Sequence, residues 1–249
     1  MTQKGKDAAK PGKKDVSVGV DRAGKLLRGL PFFASLTDKE FSEVTHIRRD
    51  IRFLRGQTIL SEEDTHKYMY IVLSGKVKAV HFGPDGKEHI LAFHNRGEFF
   101  GEMAVLDGKT APAAVVAVED TEISLISKKD FDAHMMTNQK ICRQIIDVLC
   151  SRLREAWMML IALTLPDAED KVRAVLKLVS MQIGIRDSRG TIIASNLTHQ
   201  DIADYASVSR ETVTRLLTKL IKAGEIEIIG KRDLLLRPLF MERSNFLLP

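Results

Sequence analysis

The sequence predicts an α+β chain in three parts: a β-roll, a long helix built for pairing, and a winged helix-turn-helix. Three observations carry this. Short β-rich segments at regular pitch fill the first half, an apolar 4-3 repeat runs from Cys142 to Leu163, and a capped two-helix motif precedes an alternating hairpin near the C-terminus. The 249 residues suffice for two modest domains, and 44% hydrophobic with 29% charged residues is ordinary for a globular chain.

The basic balance sits at one end. Residues 1–28 hold eight Lys or Arg against three Asp, which accounts for the whole formal net charge of +5. They read as a flexible basic tail, and any nucleic-acid reading must rest on where later charges sit. The tail has no apolar stretch that could serve as a signal peptide, and the longest apolar run, Ala156 to Leu165, is about half of what a membrane span needs. Cys142 and Cys150 are too few for a disulfide framework and lie in helical surroundings. The expectation is a cytoplasmic protein with reduced, buried thiols and no membrane partner.

Residues 29–138 read as the roll. Thr37 with Glu40 three residues on forms a capping-box pattern, and Phe41, Val44 and Ile47 keep one helical face. From Ile51 the pattern turns to strands. Tyr68–Leu73, Lys76–Phe82, Glu88–Phe93 and Glu122–Ser127 are separated by turn-rich pieces with no helix expected between them. His89 and His94 stand five apart across a strand end, a poor metal spacing, so no metal site is expected.

Residues 139–165 read as a dimerisation helix. Cys142, Ile146, Leu149, Leu153, Ala156, Leu160 and Leu163 alternate 4 and 3 apart, as a parallel coiled-coil seam does. Pro166 and Asp167 end it, and residues 166–249 form the last domain.

There, Thr198 and Asp201 cap one helix and Ser209 caps a second, with a short turn around Ala206 to Val208 and the small Ala203 where the helices close. In the second helix Val213, Leu216, Leu217 and Leu220 share the core face, so Glu211, Thr214, Arg215 and Thr218 face outward. Arg210 and Glu211 sit in its first turn, where a recognition helix meets base edges; Arg grips guanine O6 and N7, and Glu accepts from the cytosine amino group. The hairpin that follows carries Lys231 and Arg232 at its tip, a basic wing beside double-stranded DNA.

The segments LTHQDIADYASV and SRETVTRLL resemble the DNA-binding domain of the cyclic-AMP receptor protein and fumarate-nitrate regulator family of bacterial transcription factors, and the resemblance runs from about Leu30 to Phe240. By position it implies base reading by Arg210, Glu211 and Arg215, and phosphate contacts by Ser209, Thr212 and Thr198. It further implies a homodimer on a palindrome with TGTGA-like half-sites, and RNA polymerase as a further partner.

Gly97 to Ala117 resembles the phosphate-binding cassette of the cyclic-nucleotide-binding fold, so the first domain is a cyclic-nucleotide-binding-like roll. Gly101 and Glu102, followed by Met103, match its Gly-Glu pair. The position of the Arg that grips the cyclic phosphate falls on Ala111, with Pro112 and Ala113 beside it. Loss of such a charge-assisted contact costs on the order of 2–3 kcal/mol, about 30- to 150-fold in affinity. Ala156 and Trp157 stand where cyclic-AMP responders carry hydroxyls near the base. Cyclic AMP is therefore not expected as effector, and no cofactor is identified. The roll takes another small molecule, serves as an empty platform, or senses through another group.

No catalytic site is expected. Gly108-Lys109-Thr110 fails as a P-loop because Met103 stands where its first Gly belongs, and no Ser, His and Asp spacing suggests a hydrolase. The competing class is a ligand-binding module acting through a protein partner, which would leave the C-terminal motif unused.

Overall fold

The computed structural model describes residues 20–64, 67–83, 88–193, 197–230 and 233–244. Helix α1 (Val20–Arg28) occupies the end of the expected tail, whose residues 1–19 lie outside the described residues; Leu27 is buried and packs into the core beneath the roll. Helix α2 (Asp38–His46) has the predicted capping box, with Glu40 accepting from the Thr37 backbone N–H at 2.7 Å.

Two four-stranded antiparallel sheets build the roll. Strands β1 (Arg48–Phe53), β8 (Thr121–Ser127), β3 (Tyr68–Ser74) and β6 (Phe99–Phe100) form one; β2 (Thr58–Leu60), β7 (Ala114–Ala117), β4 (Lys76–Phe82) and β5 (Glu88–Asn95) form the other. All four predicted strands are present within a residue or two. A short helix, α3 (Glu102–Asp107), interrupts the strands where none was expected, and it opens at Gly101 with φ 76°. A Cβ there would lie 2.6 Å from the Tyr68 carbonyl oxygen, so this bend requires glycine.

A short turn, α4 (Lys128–Asp130), leads into α5 (Gln139–Thr164), the long helix the 4-3 repeat predicted. One line of that repeat, Ile146, Leu153 and Leu160, is 54%, 52% and 61% exposed. The other predicted line is mixed: Leu149 packs on the roll core, Cys142 and Leu163 are half-buried, and Ala156 is exposed. Cys150, expected to be buried, is exposed, as is Trp157. The reason is that α5 packs along the roll with its opposite face, which rotates the free apolar stripe by one residue to Ile146, Cys150, Leu153, Trp157 and Leu160.

The C-terminal domain comprises α6 (Ala168–Ile183), β9 (Ile185–Asp187), β10 (Gly190–Ile193), α7 (His199–Ala206), α8 (Arg210–Lys222), β11 (Ile226–Ile229), β12 (Asp233–Leu236) and α9 (Pro238–Arg243). Its sheet runs β11-β12-β10-β9, so the predicted hairpin is the edge of a larger sheet. Asp167 is the N-cap residue of α6 without a side-chain capping bond. Besides the roll's own core, one buried cluster spans both halves: Val80, Ile90 and Phe93 of the roll join Val175, Val179, Ile202 and Tyr205. Asn95 also donates to the Gln182 carbonyl across this junction at 3.3 Å.

Candidate DNA-reading surface and roll pocket

The outer surface of α8 is organised by its caps. Ser209 Oγ accepts from the Thr212 N–H at 3.1 Å, and Val213, Leu216, Leu217 and Leu220 are buried. Burying such side chains contributes about 1.5–3 kcal/mol each, which fixes the helix's rotation and forces Arg210, Glu211, Thr214, Arg215, Thr218, Lys219 and Lys222 onto one open groove face. The Glu211 carboxyl is held below the usual carboxylate range, first by its own backbone N–H and then by the Ser209 hydroxyl and Arg210. Glu211 is thus an ionised acceptor at the first turn of α8.

Helix α7 sets the position of α8. Thr198 and Asp201 form the expected capping box, in which Asp201 accepts from both the backbone N–H and the hydroxyl of Thr198, each at 2.7 Å. The hydroxyl proton of Thr198, an exposed residue, is therefore already used. The turn between the helices bends at Ser207, which is left-handed at φ 51°, and Ala203 is fully buried where the helices meet. His199 Nδ1 lies 2.8 Å from Thr214 Oγ1 and links the start of α7 to the middle of α8, a contact with no signal in the sequence pattern. Lys231 and Arg232 lie outside the described residues.

Behind this surface is an ion-pair network that sequence reading missed. Arg173, 7% exposed, holds Glu225, 1% exposed, through two hydrogen bonds of 2.6 and 3.1 Å. Arg243 adds a third at 2.9 Å, while Glu169 bridges Arg173 at 3.0 Å and Lys219 at 2.5 Å. The network ties α6 to the end of α8, the start of β11 and α9. Glu225 opens an alternating strand, and nothing in that pattern shows that its partner lies 52 residues away.

In the roll, the pocket beside the cassette is small, about 100 Å³, below the roughly 300 Å³ at which small-molecule pockets begin. Its lining includes Gly101, Glu102, Met103, Ala111 and Ala113, so the structure does bring the predicted cassette residues together. Ala111 is buried, and its N–H and carbonyl bond to the chain at Asp64 and Glu63. Glu102 is buried and already paired: Arg152 of α5 donates to it at 2.7 Å, donates to the Phe99 carbonyl, and stacks over the Phe99 ring at 4.8 Å. Arg152 was not singled out in the sequence, because only the packing of α5 on the roll brings it to Glu102.

Residues 50–138 match the model of the cyclic nucleotide-binding domain, and residues 172–239 match the Crp-like helix-turn-helix domain. The cyclic AMP receptor protein of Thermus thermophilus is 32% identical over 204 residues, covering 81% of this chain and 90% of that protein. The chain belongs to the CRP/FNR family of transcription regulators.

This CRP/FNR regulator is also similar to the nitrogen fixation regulation protein FixK of Bradyrhizobium diazoefficiens, 30% identical over 209 residues and covering 84% of this chain and 87% of that one. The structure of FixK2 from Bradyrhizobium japonicum shares the fold with a TM-score of 0.69 at 24% identity, covering 81% of this chain and 97% of that one. The CRP/FNR chain is accordingly a DNA-binding regulator of transcription and not an enzyme. Among its described residues no helix is long and apolar enough to cross a membrane.

Proposed function

We propose that this regulator acts as a cytoplasmic homodimer that reads a palindromic site with TGTGA-like half-sites one helical turn apart, without needing cyclic AMP. The observation that carries the reading is the α8 surface: Arg210, Glu211 and Arg215 stand exposed on the face that the buried leucines turn outward. Arg210 and Glu211 occupy the helix end that meets base edges, and Arg215 follows one turn on. Ser209, Thr212 and the start of α7 supply the phosphate side, and RNA polymerase is the partner on which such a regulator acts.

The exposed stripe on α5 supports pairing. A row of Ile146, Leu153, Trp157 and Leu160 at seam spacing is too apolar for a free helix surface and fits a second copy of itself in parallel. Leu160→Glu is expected to shift the protein from dimer to monomer in sedimentation equilibrium while leaving the fold intact. A variant that still sediments as a dimer would move the interface elsewhere.

Independence from cyclic AMP is supported by Ala111 in place of the phosphate-gripping Arg, by the small pocket, and by Glu102 being already paired with Arg152. Fluorescence anisotropy of a labelled TGTGA-type palindrome is expected to show tight binding over a scrambled duplex, with the same affinity whether or not millimolar cyclic AMP is present. Specific binding that appears only with the nucleotide would overturn this part of the reading.

A further inference from the structure

A second cavity, far larger than the roll pocket, lies between the two halves of the chain. It measures about 720 Å³, within the range that holds a drug-sized molecule. Its walls come from β5 and the turn after it, from one face of α5, from the end of α6 and from α7. The α5 residues that line it, among them Gln144, Val148, Ser151 and Glu155, lie opposite the Ile146, Leu153 and Leu160 stripe, so pairing through that stripe leaves the cleft open.

The cleft has a consistent chemistry. Leu91, Met159 and Met181 supply apolar surface, with the edges of Phe93 and Tyr205 behind them. Two carboxamide oxygens, Gln144 Oε1 and Gln182 Oε1, are buried in its lining residues and have no hydrogen-bond partner among the described residues. An unpaired buried acceptor costs about 1–3 kcal/mol, so each calls for an N–H or O–H donor. The amide nitrogens of both are already committed, Gln144 to Ser35 at 2.8 Å and Gln182 to Glu155 at 3.1 Å.

Charge points the same way. Glu98, Asp147 and Glu155 line the cleft, Asp147 being paired with Arg143 at 3.2 Å, whereas Arg152 is turned toward Glu102 and the Phe99 carbonyl, and His94 is held beside Glu98 at 3.6 Å. Arg96, exposed at the rim, is the remaining cation of the lining. Acceptors and negative charge thus outweigh donors and positive charge, the reverse of what a cyclic nucleotide requires.

We infer that this interdomain cleft is an effector site for a flat, aromatic, hydrogen-bond-donating molecule that is neutral or cationic. Such a molecule packs against the apolar wall at Leu91, Phe93 and Met159 and donates to Gln144, Gln182 and Glu155. Because its walls belong to the roll, the long helix and the first helix of the DNA-binding motif, an occupant ties the position of α7 to the roll and so biases where α8 points.

The test uses the full chain without DNA, so its outcome is independent of the reading of α8. Benzamidine, a small aromatic cation rich in donors, is the probe, and benzoate, of the same shape with acceptors only, is its counterpart; binding is read by ligand-observed saturation-transfer NMR. The expected result is transfer to benzamidine and not to benzoate. Ser151→Trp, which fills the cleft from an exposed helix position, should abolish transfer with the circular dichroism spectrum unchanged, and Gln182→Leu should weaken it about tenfold. Met103→Trp, at the exposed edge of the roll pocket, should leave it as in the parent. No transfer to benzamidine in the folded parent, equal transfer to benzoate, or loss in Met103→Trp with retention in Ser151→Trp would each overturn the assignment.

Discussion

Glu225→Ala is expected to lower the stability of the DNA-binding half by about 3 kcal/mol, because it leaves the Arg173 guanidinium, 7% exposed, with Glu169 as its remaining carboxylate partner. The measurement is urea unfolding followed by circular dichroism, with a fall in the transition midpoint and little change in slope. Arg243→Ala provides the contrast: its side chain is 57% exposed, so its loss should cost no more than about 1 kcal/mol. Equal, small effects from both variants would show that the network behaves like a surface pair and does not hold the domain together.

The same network sets an acid limit. Glu225 is held below its ordinary value of 4.5, first by the hydrogen bonds from Arg173 and then by Arg243, and Glu169 is held down first by Lys219 and then by Arg173. A carboxyl with a depressed folded-state pKa contributes stability that is fully present above its unfolded value and is lost as pH falls through the folded one. Stability should therefore hold at neutral pH and decline below pH 4.5, with Glu225→Gln flattening that decline.

The second large effect concerns sequence discrimination. Arg210→Ala should weaken binding to the specific palindrome by about 1–3 kcal/mol, roughly 5- to 150-fold, while binding to a scrambled duplex changes little. The loss should concentrate at one base pair of each half-site, so that substitution of that pair no longer matters to the variant. Lys222→Ala, on the same groove face but in the last turn, should instead weaken all sequences alike and reduce the salt slope by about 1. Should Arg210→Ala discriminate between the two duplexes as the parent does, the base-reading role belongs to another residue.

Local signals made much of this molecule legible. The caps at Thr37, Thr198 and Ser209 form because a hydroxyl three residues before a free backbone N–H satisfies it without any tertiary help. The buried face of α8 follows from the spacing of Val213, Leu216, Leu217 and Leu220, and with it the outward placement of Arg210, Glu211 and Arg215. Strands read correctly where turn residues bounded them, as in β3 and β4.

Features that depend on which surfaces meet were not legible. The 4-3 repeat on α5 located the helix and one line of the free stripe, Ile146, Leu153 and Leu160, but not the other, because two lines of apolar residues one position apart are equivalent until one packs on the roll; Leu149 does so and Trp157 does not. Short α3 escaped notice because its six residues carry too little periodicity. Pairs such as Arg152 with Glu102 and Arg173 with Glu225 span about 50 residues and arise only when the helices dock.

The sequence by itself determined the order of roll, long helix and helix-turn-helix, and the chemistry of the reading surface, since both depend on neighbours within one or two helical turns. Tertiary structure alone decided that the two halves share a buried cluster, that Arg152 closes on the cassette glutamate, and that a wide acceptor-lined cleft stands between them. Those outcomes depend on how apolar faces such as those of Phe93 and Ile202 come together, and burial of apolar area is non-directional, so the residue pattern alone does not name the partner.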